Sequence, residues 1–195
     1  MKKKTLFVVT VLAIVMLSLA LFSCATAPPS TSEKEQQQDS VRDMANKTLS
    51  DLYAKHPAAK DAVAKAAGYA VFSDFGFKVM FMGGARGKGL AVDNATKSET
   101  FMEMAEFQPG MGLGAAEYRV VFLFETTDAF NSFVTSGWEA GANAMASAKT
   151  KTEGGALAGA ITVSEGVKMI QLNGEGAIVG VSITAAKYYK DKELN

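Results

Sequence analysis

The chain has 195 residues, with 20 basic and 20 acidic side chains, one histidine and one cysteine. A lone cysteine excludes an intramolecular disulfide, and the absence of Cys/His clusters excludes a zinc site. With Lys2, Lys3 and Lys4 set aside as part of a leader, 17 basic residues face 20 acidic ones, a mildly acidic balance that argues against a nucleic-acid partner.

The leader comes first in the chain. Lys2, Lys3 and Lys4, the apolar run Leu6 to Phe22 and the small residue Ser23 have the three-part layout of a secretory signal. A run of this length also suits a membrane span, for which roughly 17–25 apolar residues suffice. Cys24 decides between the two: Leu21-Phe22-Ser23-Cys24 resembles the bacterial lipobox, although Phe22 is bulkier than usual at its place. The resemblance implies a signal peptide over residues 1–23, cleavage before Cys24 and lipid attached to its thiol. Each buried methylene contributes ~0.8 kcal/mol and stable anchoring takes more than one acyl chain, so a diacylglyceryl group plus an N-acyl chain such as palmitate would hold the protein unaided. Ala25, rather than Asp, resembles lipoproteins sorted to the outer membrane, so the expected location is the periplasmic face of the cell envelope. Residues Ala25 to Gln38 are small, polar and Pro-containing without apolar period, and read as a disordered tether over 24–39. Residues 40–195 then make about one ordinary domain.

From Ser40 to His56, Val41, Met44, Ala45, Leu49, Leu52 and Tyr53 fall at helical spacing, which predicts an amphipathic helix ended by Pro57. A second, short helix is expected from Ala58 to Ala67, closing at Gly68. The period then shortens to two. Strands are predicted at Tyr69 to Phe72, Phe77 to Met82, Gly89 to Val92, Thr100 to Phe107 and Tyr118 to Phe124, with glycine or polar turns between. One helix interrupts, capped by Thr126 or Thr127 and carrying Phe130, Phe133 and Val134 before Gly137. Strands follow at Glu139 to Ala148, Ala156 to Val163, Gly166 to Leu172 and Ala177 to Ala185. Residues 76–84 and 166–174 share the pattern G-apolar-K-apolar-apolar-x-apolar-x-G, which suggests a hairpin used twice. The predicted class is α+β: an antiparallel, Gly-rich curled sheet, either sandwich or partly closed barrel, with an N-terminal helical hairpin and one inserted helix.

Tests for chemistry are mostly negative. Residues 83–89 (GGARGKG) lack the first glycine and the final hydroxyl of a phosphate loop, and residues 110–115 (GMGLGA) precede a strand instead of opening a helix. His56 sits at a helix end beside Pro57, where an imidazole complements the dipole. Glu103, Glu106, Glu117 and Glu125 lie on or near strands, and outward alternation explains them without catalysis. No enzyme, cofactor or metal site is expected. Lys78, Arg86, Lys88 and Lys168 are the cations tied to glycine-bearing strands and turns, where backbone amides also favour phosphate. Trp138 is read as core packing at a helix-to-strand junction before a membrane-interface aromatic.

Several segments in order resemble the SYLF domain family: residues 66–72 (AAGYAVF), 83–90 (GGARGKGL), 110–114 (GMGLG), 174–183 (GEGAIVGVSI) and Tyr188-Tyr189. The likeness covers about Asn46 to Tyr189, and the family's W-S-x-P turn has no counterpart in Asn94 to Glu103. What it implies is a membrane-anchored, periplasm-facing lipoprotein whose SYLF-like domain over 40–195 binds phospholipid headgroups. Arg86 and Lys88, then Lys78 and Lys168, are the expected phosphate contacts, and Cys24 the covalent lipid anchor. The alternative is a structural or protein-interaction module of the envelope, its protein partner unknown, that uses the lipid only as an anchor.

Overall fold

The computed structural model describes residues 30–140, 159–173, 178–179 and 185–195, and their side chains except at 75–82, 108–116, 140 and 178–179. Met1–Ser30 and Thr31–Asn195 form separate units, and every described helix and strand belongs to the second. The expected signal peptide and Cys24 lie outside the described residues, as do residues 141–148 of one expected strand.

Helix α1 spans Thr31–Lys55 and α2 spans Ala58–Lys65, with Pro57 as the α2 N-cap. The start of α1 corrects the expected tether, since residues 31–39 are helical. Glu33, Lys34, Glu35 and the three glutamines are good helix formers, and Glu33 in the first turn favours the dipole. They carry no apolar period because polar contacts tie this end down. Lys34 Nζ donates to the backbone oxygen of Asn195 at 3.0 Å, and Gln38 Nε2 to that of Leu194 at 2.7 Å. Further along, Val41, Ala45, Leu49 and Leu52 are buried, at the spacing read from the sequence. Arg119 Nη1 donates to Asp51 Oδ2 at 2.7 Å, pinning α1 to the sheet.

Two long strands dominate the sheet, β1 at Gly68–Asp93 and β2 at Glu99–Phe124, each of 26 residues. The sequence predicts five short strands here. The glycines that read as turns lie inside continuous, antiparallel strands whose register shifts between Met80 and Met82. The true turn is residues 94–98, where Asp93 Oδ1 accepts from Ala95 N and Thr96 N, each at 2.8 Å. Asn94 Nδ2 reaches back to the carbonyls of Val63 and Ala66, at 2.7 and 2.9 Å, and so binds this turn to the end of α2.

A straight strand would put Ser73 and Gly87 about 45 Å apart, yet they touch. A Cβ added at Gly87 would lie 2.2 Å from the Ser73 carbonyl oxygen and 3.0 Å from Asp74 Cα, and one at Gly89 2.2 Å from Phe72 Cδ1. β1 therefore returns on itself, and glycine permits the close approach because no side chain intervenes. Alternate side chains sort into two cores. Ala70, Phe72, Met102, Met104, Phe122 and Phe124 pack in one with Tyr188. Val71, Leu90, Val92, Phe101, Val121 and Leu123 pack in the other, under α1 and α2.

Helix α3, Thr127–Ser136, follows β2; the hydroxyl of Thr126 accepts from Ala129 N at 3.2 Å, and Gly137 leaves the helix at φ 75°. Phe130 and Phe133 point into the first core. Strands β3 (Trp138–Ala140), β4 (Ile161–Ser164), β5 (Val167–Asn173), β6 (Ile178–Val179) and β7 (Ala185–Lys190) complete the described sheet. β2 is its spine: residues 102–107 pair with β7 and residues 118–124 with β5, all antiparallel, while β1 runs along its other side. The class is thus the predicted α+β fold with a curled antiparallel sheet. The two similar glycine patterns are not equivalent hairpins, because residues 76–84 lie within β1 whereas Gly166, at φ 68°, sits in the turn before β5. Trp138 is partly buried and packs against the first core, its ring 5.7 Å from that of Phe122 and 5.8 Å from that of Tyr188.

Candidate functional site

Where β1 returns on itself, a pocket of about 600 Å³ opens between α1 and the sheet. Val41, Met44, Met104 and Leu194 give it an apolar side, and Gln37 and Ser40 of α1 border it. Its charged groups are Asp74, Arg86, Lys88, Glu103 and Glu117. Arg86 and Lys88 stand two apart on β1 and so share a face of the strand. Gly87 between them meets Ser73 and Asp74, which brings charges twelve or more residues apart in sequence to one place.

Lys88 faces Glu103 directly across the β1–β2 pair. Its ammonium donates to Glu103 and also, at 2.6 Å, to Asp191 Oδ2. Asp191 is 1% exposed, and its other oxygen accepts from Glu193 N and Leu194 N at 2.8 and 3.1 Å. Burial alone would lower the Lys88 pKa, but the two carboxylates outweigh it and hold the group above the ordinary lysine value. Burial likewise favours a neutral Asp191, and the Lys88 ammonium with the two backbone donors reverses that and depresses its carboxyl. The Tyr189 hydroxyl bonds Glu103 as well, and with burial this raises the phenol.

Asp74 is the opposite case. It is 4% exposed, and its Oδ1 accepts from Tyr118 N at 3.1 Å. Burial, then the charges of Glu106 and Glu117, push its pKa up to about 6. It has no ion pair among the described residues. Glu117 is exposed at the pocket edge, within 3.4 Å of the Ser73 hydroxyl. Arg86 is exposed and makes no ion pair with another described residue.

The expected set of four cations is therefore not gathered in one place. Arg86 and Lys88 line the pocket, with Lys88 committed to two carboxylates. Lys168 lies on β5 and pairs with Glu125 at 3.0 Å, outside the pocket lining. Lys78 falls within β1 opposite Gly114, and its side chain is outside the described residues. Sequence reasoning missed Asp74, although a signal was there: Ala70, Phe72 and Asp74 keep a period of two that aims the carboxylate inward. Gln37 and Ser40 were missed because they fell in or beside the supposed tether. Among the described residues no group of three His, Cys, Asp or Glu side chains is placed to hold a metal ion.

The chain is similar to Beta cell expansion factor A of Aeromonas veronii. The two are 32% identical over 160 residues, a match covering 79% of this chain and 57% of that protein. The chain thus spans little more than half the length of this relative. No family model matches the sequence.

Proposed function

We propose that this chain is a bacterial envelope lipoprotein, lipid-anchored at Cys24, whose domain is of SYLF type and binds phospholipid headgroups without catalysing a reaction. One observation carries the reading: Arg86, an exposed guanidinium with no ion pair to another described residue, lines a pocket whose other side is Val41, Met44, Met104 and Leu194. That pairing suits an amphiphile, with the phosphate at the cation and the glyceryl and first acyl carbons against the apolar side chains. Lys88 keeps its partners and holds the β1–β2 pair and residues 191–194 together. The lipobox-like segment 21–24 supports confinement to a membrane by acyl chains, leaving the folded surface for recognition.

The test is co-sedimentation of the chain lacking residues 1–24 with vesicles of mixed phosphatidylethanolamine and phosphatidylglycerol. Binding that weakens with salt, and falls at least about tenfold in Arg86→Gln (about 1.4 kcal/mol) with no change in melting temperature, is expected. Equal recovery in the supernatant with and without vesicles at low salt overturns the reading.

A further inference from the structure

The pocket is not a simple anion site. Beside Arg86 it carries Asp74 and Glu117, and the ions at Lys88 add no spare positive charge, since one ammonium there faces two carboxylates. A bare phosphate drawn to Arg86 meets repulsion from Asp74 and Glu117. A bare cation drawn to those carboxylates meets the guanidinium. Asp74 is the sharper clue: a buried carboxylate that has no ion pair among the described residues and feels the charges of Glu106 and Glu117 is costly to keep.

We infer that the pocket takes a zwitterion in which a phosphate and a primary ammonium are joined by a short linker, the chemistry of a phosphoethanolamine group. Arg86 holds the phosphate, and Asp74 and Glu117 receive the ammonium. The return of β1 at Gly87 is what sets the two poles side by side. A primary ammonium fits because its three N–H groups reach several oxygens at once, whereas a quaternary one donates none. This rests on the headgroup reading above and narrows it to one class.

The experiment uses the full chain in neutral detergent micelles and follows its melting temperature, which a ligand of the folded state raises. The probes are sn-glycero-3-phosphoethanolamine, sn-glycero-3-phosphocholine, sn-glycerol 3-phosphate and ethanolamine. The expected result is a rise with the first alone, lost in both Arg86→Gln and Glu117→Gln, each read against the variant's own ligand-free melting temperature. A dihexanoyl phosphatidylethanolamine arm separates the sources. Binding at least about tenfold tighter than the deacylated compound assigns the site to lipid, and equal binding assigns it to a soluble phosphoethanolamine; either supports the zwitterion. An equal rise with the choline compound or with glycerol phosphate overturns the inference while leaving headgroup binding intact. No rise with any probe, together with no vesicle binding, overturns both.

Discussion

Asp74 ionises near pH 6 in the folded chain against 3.8 for the free group, because burial and the carboxylates of Glu106 and Glu117 disfavour its charge. Between those values the folded state keeps a proton that the unfolded chain has released. This group's contribution to stability is therefore full below about pH 4 and is lost as the pH rises to about 6, a change on the order of 2–3 kcal/mol. Asp74→Asn preserves an oxygen for the Tyr118 amide and removes the titration. Denaturant unfolding from pH 4 to 7 is expected to show the variant gaining on the wild type across that window; parallel curves contradict the assignment. Lys88 gives the complementary case. Lys88→Met leaves Asp191, 1% exposed, as a buried charge without its ammonium, and a loss of about 3–5 kcal/mol is expected, measurable by the same unfolding at pH 7. Part of this chemistry is legible in sequence, since Arg86 and Lys88 stand out in a glycine-rich strand. That one is available and the other neutralised is not, because Asp191 lies 103 residues further on and only the folded chain brings it near.

At the scale of elements, the helices and the inserted α3 follow from local rules: Pro57 separates α1 from α2, and the Thr126 hydroxyl caps α3. The strands of the hairpin misled for a physical reason. Glycine marks turns in most sequences, but here Gly84, Gly87 and Gly89 lie in an extended strand where another part of the backbone or a ring presses close. Sequence spacing cannot distinguish the two uses. Gly87→Ala is expected to cost at least about 2 kcal/mol, since its Cβ meets the rigid Ser73 carbonyl. Gly84→Ala meets only the Glu106 carbonyl oxygen at 3.1 Å and costs less. Thermal unfolding of the two variants side by side checks the order, and equal melting temperatures contradict the close approach.

For the whole molecule, the α+β class with a curled antiparallel sheet was readable from periodicity, because a switch from helical spacing to alternation survives any error in strand ends. The extent of α1 was not. Its first turns lack an apolar face and are held by residues at the far end of the sequence, through Lys34 and Gln38 to the carbonyls of Asn195 and Leu194. Leu194 is itself buried among the α1-facing core. Leu194→Ala is expected to cost about 2–5 kcal/mol and to speed amide hydrogen exchange in residues 31–40 more than in residues 120–124. Uniform acceleration argues that the helix start is independent of that clasp.

The clasp also orders events in time. Residues 31–38 leave the ribosome long before residues 191–195 exist, so the first helix has no completed seat during most of synthesis. Until residues 194 and 195 have been made, the start of this helix lacks the two carbonyls that hold Lys34 and Gln38, whereas Val41 to Leu52 need only sheet residues made before those two.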